Sequence, residues 1–329
     1  MINARIVGTG SYAPKKVVTN QDLEKLLDTS DEWITERTGI KQRHIADKNE
    51  ATSDLAFEAA QRALKAANLS AQELDMIIVA TTTPDMYMPN CGCILQNKLG
   101  AKNAAAFDIY AACSGFIYGL SIASSYIKSD TCKTILLVGA EILSRVTDWE
   151  DRTTCVLFGD GAGAVVLQRQ TGKQVRRGVL STHLRSDGAL GNLLSLPGGG
   201  SLHPASHDTI AKRMHFIKMK GNETFKAAVR ALEEVAQEAL DYNKLKHEDL
   251  DFLIPHQANL RIIQAMAQRL KMPMEKVVLT LPKYGNTSAA SIPMALDEAV
   301  WDGRIKDNHL LLLEAFGGGL TWGSALVRW

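Results

Sequence analysis

Leu74-Asp75-Met76-Ile77-Ile78 returns later in the chain as Leu250-Asp251-Phe252-Leu253-Ile254, and each copy follows a stretch with an Ala-rich helical face. A repeated helix–strand unit commits both copies to the same local packing, so this echo constrains the fold more than any other feature. It continues downstream. Ile135 to Val138 leads on to Phe158-Gly159-Asp160-Gly161-Ala162-Gly163, and Leu310 to Leu313 leads on to Phe316-Gly317-Gly318-Gly319 and then Ser324-Ala325-Leu326-Val327. Two halves that each close on a Phe-Gly-rich turn and a strand point to a duplication, although any α/β chain offers some echoes of this kind.

The runs Met76–Ala80, Thr134–Val138, Phe252–Ile254 and Leu310–Leu313 are continuously apolar, as strands buried on both faces are. Helical patterns separate them. One is capped by Ser53, with Leu55, Ala59, Ala63 and Leu64 on its apolar side and Glu58 and Arg62 on its polar side. The expectation is an α/β fold of layered, buried sheets. Residues 1–170 form the first half, 216–329 the second, and 171–215 an irregular connection. That connection is read from the turn chemistry of Ser186-Asp187-Gly188, Pro197-Gly198-Gly199-Gly200 and His203-Pro204.

Composition excludes some functions. A net charge of +1 gives no electrostatic case for nucleic acid or an anionic membrane surface. No apolar run reaches the roughly 18 residues that span a bilayer. The five cysteines are an odd number, and the N-terminal residues Met1-Ile2-Asn3-Ala4-Arg5 lack a secretory pattern, so free thiols in a reducing cytoplasm are expected. Cys91-Gly92-Cys93 has no second matching pair, so no metal is expected.

Cys113 lies between strand-like Phe107-Asp108-Ile109-Tyr110 and a helical pattern carrying Leu120, Ala123 and Ile127. A thiol at a helix N-terminus has its pKa lowered by the dipole and the free N–H groups. A buried, inert cysteine is the alternative. His256 follows a buried strand, where α/β sheets place ligands, or is a hydrogen-bonded structural histidine. Asn286 reads by itself as a turn residue before a helix. Together the three make a site. Once Cys113 is acylated, a malonyl thioester must lose carbon dioxide to become a carbon nucleophile. Two neutral donors, His256 Nε2–H and the Asn286 amide, suit the resulting enolate oxygen. The Gly317-Gly318-Gly319 turn can bring a backbone N–H to a second oxyanion, or is simply a hairpin.

Read in order, these residues resemble the β-ketoacyl-acyl carrier protein synthase III family of the thiolase superfamily, the initiating condensing enzymes of bacterial fatty acid synthesis. The further motifs are Ser30-Asp31-Glu32-Trp33-Ile34, Arg37-Thr38-Gly39-Ile40, Gly221-Asn222-Glu223, Phe225-Lys226, Pro255-His256-Gln257-Ala258-Asn259-Leu260-Arg261-Ile262 and Leu320-Thr321-Trp322-Gly323. The resemblance covers essentially the whole chain. It implies a duplicated thiolase-like fold in α-β-α-β-α layers, a homodimer, and the triad Cys113, His256 and Asn286. The implied reaction is acyl transfer from acyl-CoA, acetyl-CoA above all, to Cys113, then decarboxylative Claisen condensation with malonyl-acyl carrier protein, with no cofactor. Cys113 and Gly318 N–H groups would form the oxyanion hole. Trp33 would stack on the adenine of coenzyme A between Arg37 and Arg152. Thr38, Ala258 and Phe316 would join them, Asn222 and Asn259 would line the pantetheine path, and Met219 and Phe225 would wall it. Lys226, Gln257 and Arg261 would receive the acidic carrier protein.

Two departures from the family stand out. Met88 takes the place where a residue of the partner subunit, often Phe, enters the acyl pocket; flexible Met implies a short straight primer. Leu320 replaces a frequent Phe and is read as a packing change. The rival readings are a condensing relative from secondary metabolism or alkene synthesis, a Cys thioesterase using His256 as base, and a carrier-protein scaffold without turnover.

Overall fold

The computed structural model describes residues 2–172 and 177–329. In chain order the elements that position the site are β1 (Ile2–Tyr12), α1 (Asp31–Thr38), α2 (Thr52–Ala67), β2 (Met76–Ala80), α3 (Cys91–Leu99), β3 (Ala105–Ile109), α4 (Gly115–Lys128), β4 (Thr134–Ile142) and β5 (Asp160–Thr171). They continue with β6 (Gly178–Ser186), α5 (Gly221–Asn243), β7 (Phe252–Pro255), α6 (Leu260–Arg269), α7 (Ser291–Trp301), β8 (Leu310–Gly317) and β9 (Thr321–Arg328).

The first sheet runs β1-β5-β4-β2-β3 and the second runs β6-β9-β8-β7. In both, a parallel pair (β2/β4, β7/β8) is followed outward by two antiparallel partners. Val277 bridges Leu253 in parallel, the place β3 takes beside β2. The echoed aspartate explains the echo. Asp75 Oδ2 accepts from the N–H groups of Lys133 and Thr134, and Asp251 Oδ2 accepts from Leu310 N–H, so each aspartate pins the start of the next strand. The preceding helices end alike as well: Asn68 and Lys244 both close them in the left-handed region, at φ 54° and 55°.

Three apolar clusters make the layers. Phe116, Ile117 and Leu120 of α4 pack with Ile292, Ala295 and Leu296 of α7 between the two sheets. Leu55, Ala59 and Ala63 of α2 cover the outer face of the first sheet. Leu232 and Ala236 of α5, with Ile263 and Met266 of α6, cover that of the second. The result is five layers, α-β-α-β-α. β4 is buried at all nine positions; each buried apolar side chain of this size contributes about 1.5–3 kcal/mol.

The connection 171–215 is less irregular than its turn residues imply. Residues 178–186 are β6, paired to β9 from Gly178–Arg328 to Ser186–Thr321. Val179, Ser181 and His183 point inward at strand spacing, a polar alternation that the flanking turn signals hide. Residues 173–176 of the connection lie outside the described residues. Beyond β6 it is a 3-10 turn at Gly188–Leu193, a two-residue strand, Leu194–Ser195, and a short helix, His207–Ala211. No helix among the described residues is long and apolar enough to cross a membrane.

Candidate active site

Cys113 sits in a 3-10 turn, Ala112–Ser114, that feeds directly into α4. Ala112 takes φ 46°, which bends the chain sharply out of β3. The thiol is buried. Burial pushes its pKa up to about 12, against the pull of the Ser288 hydroxyl and its own backbone N–H. This corrects the expectation of a resting thiolate: at a helix start with little solvent, desolvation outweighs the dipole.

The second half closes on this turn from two sides. A Cβ on Gly317 would lie 2.6 Å from the Cys113 nitrogen, so only glycine lets β8 come this near. Gly318, outside any strand, has an N–H with no acceptor among the described residues. From the other side comes a matching 3-10 turn, Ser288–Ala290, with Ser288 at φ 50°. Ser288 and Cys113 line one cavity.

Asn286 and His256 are held by neighbours in the same region. Asn286 Oδ1 accepts from Ser288 N–H at 2.9 Å. That bond fixes which end of the amide is engaged and leaves Nδ2 as the free donor. His256, at the end of β7, is buried; its backbone N–H donates to Glu314 O and its Nδ1 lies 2.7 Å from Ser291 Oγ. Where the Ser291 hydroxyl donates to Nδ1, the ring proton resides on Nε2. Burial lowers the His256 pKa to about 3, so the imidazole is neutral. A neutral Nε2–H and a carboxamide N–H are donors without charge.

A cavity of about 410 Å³ opens at the thiol. Its walls include Cys113, Thr82, Thr83, Leu143, Leu196 and Ile217. His256, Asn286 and Ser291 are not among its lining residues; Asn286 adjoins it through Ser288.

The other expected residues fall into groups. Trp33 is flanked by two guanidinium groups, Arg37 at 4.8 Å and Arg152 at 5.2 Å from its ring centroid, and Arg152 donates to Asp28 O. Asn259 caps α6 and donates to Arg37 O, tying that cluster to the second half. Arg261 lies over the Phe225 ring at 5.5 Å, with Lys226 and Asn222 exposed nearby on α5. Phe316 packs on Trp322, and Met219 and Ala258 are half-buried. The Thr38 hydroxyl donates to Ile34 O and accepts from Ile40 N–H, so it closes α1. Met88 is 85% exposed.

Gln257 is a correction. It is 1% exposed, donates to Pro255 O and Val278 O, and accepts from Thr280 and Leu281 N–H. Its amide is consumed as an internal staple and cannot meet a carrier protein. Cys91 is buried and Cys93 exposed; all five cysteines are free, and among the described residues no cluster could hold a metal. Ser288, Ser291 and the Thr82–Thr83 wall were missed in the sequence. Ser288 lies two residues after Asn286, but nothing local ties a serine to a thiol 175 positions away, from 113 to 288.

Comparison with known proteins bears on the whole chain. Residues 107–188 match the family model 3-oxoacyl-[acyl-carrier-protein (ACP)] synthase III, and residues 240–329 match the model of its C-terminal part. The chain is 54% identical to a beta-ketoacyl-[acyl-carrier-protein] synthase III of Thioalkalivibrio sulfidiphilus, covering 100% of both chains. It is 56% identical to one of Xylella fastidiosa, over 100% of this chain and 99% of that one. The crystal structure of 3-oxoacyl-[acyl-carrier-protein] synthase III from Aquifex aeolicus superposes with a TM-score of 0.91 at 52% identity, covering 99% of this chain and 100% of that one.

Proposed function

The chain belongs to the 3-oxoacyl-[acyl-carrier-protein] synthase III family, acyltransferases that condense thioesters to initiate fatty acid synthesis, and from that premise we propose how its own residues divide the work. Cys113 attacks the acyl-CoA carbonyl, and the oxyanion forms against the Cys113 and Gly318 N–H groups. Coenzyme A leaves and a malonyl thioester on the carrier protein takes its place. Loss of carbon dioxide puts charge on the thioester oxygen, where His256 Nε2–H and Asn286 Nδ2–H receive it. The carbon nucleophile then attacks the Cys113 thioester, through the same oxyanion hole, and releases the β-ketoacyl product.

The observation that carries this reading is the orientation of the two donors. Ser291 Oγ engages His256 Nδ1 and Ser288 N–H engages Asn286 Oδ1, so Nε2 and Nδ2 are the ends left for a substrate oxygen. Trp33 with Arg37 and Arg152 suits an adenine ring and its phosphates. Lys226 and Arg261 present exposed cations to the acidic carrier protein. The exposed loop around Tyr87 and Met88 is apolar and favours a homodimer in which the partner subunit's Met88 occupies part of the acyl cavity, leaving room for acetyl. No cofactor is required, and free thiols suit the cytoplasm. Intact-mass measurement after incubation with acetyl-CoA tests the reading. One acetyl adduct is expected on the native chain and none on Cys113→Ala; an adduct that persists in the variant refutes it.

A further inference from the structure

Glu141, on β4, is wholly buried and has no cation paired with it among the described residues. Its carboxylate is nonetheless surrounded by donors. Thr82 and Thr83 give it backbone N–H groups at 3.1 Å, and the hydroxyls of Thr81, Thr82, Thr83 and Ser288 converge on it. The Thr83 hydroxyl already accepts from Ile142 N–H and that of Thr81 from Thr83 N–H, so their protons are free to point at Glu141. An environment of donors only is built for the ionised form.

Ser288 is the link to the reaction. Its Oγ donates to Glu141 Oε1 at 3.1 Å, and Ser288 lines the same cavity as Cys113. A hydroxyl that donates to a carboxylate keeps its lone pairs for a proton delivered from the cavity side. The thiol meanwhile needs an acceptor. Burial keeps it protonated, and the neutral imidazole of His256 is too weak a base to take the proton.

We propose that Glu141, reached through the Ser288 hydroxyl, holds the Cys113 proton during acyl transfer. The inference rests on the acyl-enzyme reading above. As the Cys113 sulfur bonds to the acyl carbon, its proton passes to Ser288 Oγ while the Ser288 proton passes to Glu141. The carbon–sulfur bond to coenzyme A breaks, and the proton held by Glu141 returns through Ser288 to the departing thiolate. No proton is gained or lost overall. Burial moves the Glu141 pKa upward from its ordinary value, against the lowering pull of the Thr82, Thr83 and Ser288 hydrogen bonds. The titratable groups that feel its charge are Cys113 on one side and Tyr110 on the other.

Single-turnover acetylation, followed across pH 6 to 9, tests this with two variants. Ser288→Ala keeps the backbone: the matching position of the first turn is already an alanine, Ala112, in the same left-handed conformation. Asn286 also keeps its bond from the Ser288 N–H. The native chain should acetylate at a nearly level rate. Ser288→Ala should be about 100-fold slower at neutral pH and gain about tenfold per pH unit, because the thiol must then ionise into water. Glu141→Gln should show the same steep profile. Malonyl-carrier decarboxylation by Ser288→Ala should fall by much less than acetylation does, since Asn286 is held by the Ser288 backbone N–H and not its hydroxyl. A level profile in Ser288→Ala, or equal loss of both activities, overturns the proposal. Failure of the native chain to acetylate at Cys113 would instead overturn the acyl-enzyme reading.

Discussion

The two buried turns of this molecule are built alike and present different groups. Ala112–Ser114 and Ser288–Ala290 are both 3-10 turns, both begin in the left-handed region, and both run straight into a helix of the central layer. Each meets the opposite half at a glycine. Gly317 admits the Cys113 backbone, and Gly139 admits the carbonyl of Ala289, 2.2 Å from where its Cβ would stand. The difference lies in what each turn presents. The first carries the sulfur; the second carries the Ser288 hydroxyl and holds the Asn286 amide through its backbone N–H. The sheets show the same division. Counted from the strand starts pinned by Asp75 and Asp251, Glu141 and Gly317 occupy equivalent places on β4 and β8. One reaches across to Ser288 with a carboxylate, and the other has no side chain, so that its backbone can approach Cys113. A duplicated scaffold thus yields an asymmetric site by changing a few side chains at matching positions.

The largest expected effects come from breaking one turn at a time. Cys113→Ala should abolish acylation while leaving malonyl decarboxylation measurable. Asn286→Ala should do the reverse: acylation within a few-fold of native and decarboxylation down about 10²–10³-fold, the usual cost of one lost donor at an oxyanion. Separate single-turnover assays of the two half-reactions decide this. Wild-type decarboxylation by Asn286→Ala would collapse the division of labour. The native decarboxylation rate should also show no break near pH 6.5, because His256 stays neutral until about pH 3. A break there would mean that the imidazolium takes part.

A second expected effect concerns β8 against β4. Glu314 is fully buried with both side-chain oxygens unpartnered among the described residues, and burial raises its pKa to about 8. Its counterpart on β4, by the same counting, is Val138. A raised pKa means that the folded chain keeps a proton that the unfolded chain releases at about 4.3. The stability tied to that proton is present below pH 4.3 and is lost as pH rises toward 8. Glu314→Val, which makes β8 resemble β4, should therefore gain on the native chain by roughly 3 kcal/mol between pH 5 and pH 7. Denaturant unfolding at both pH values checks it. A difference that does not change with pH would mean that Glu314 is not held protonated.

How much of this was legible beforehand follows the range of the interactions. The strands, the duplication, and the candidates Cys113, His256 and Asn286 were legible because hydrophobic runs and local motifs carry them. The reason for the echoed aspartate was not, since Asp75 bonds to Thr134 only after the chain returns. β6 was hidden because its inward positions include Ser181 and His183. The resting state of Cys113 was misread because the dipole is local and visible in sequence, whereas burial comes from β8 and the Ser288 turn. Gln257 was misread for a related reason. The residues after it, Ala258 to Arg261, are half-buried or exposed, but its partners Val278 and Thr280 come from a later stretch of the chain.

The smallest expected effect is also the most direct test of the symmetry. Gly139→Ala and Gly317→Ala each drive a methyl group into backbone of the opposite turn, and overpacking of this kind costs about 1–3 kcal/mol. Their thermal destabilisation should therefore be similar. Their kinetics should not be. Gly317→Ala displaces the Cys113 nitrogen and should slow acylation more than decarboxylation. Gly139→Ala displaces Ala289, beside the turn that orients Asn286, and should slow decarboxylation more than acylation. If both variants slowed the same half-reaction, the two glycines would be supporting one shared wall, and the correspondence between the turns would be a likeness of backbone alone.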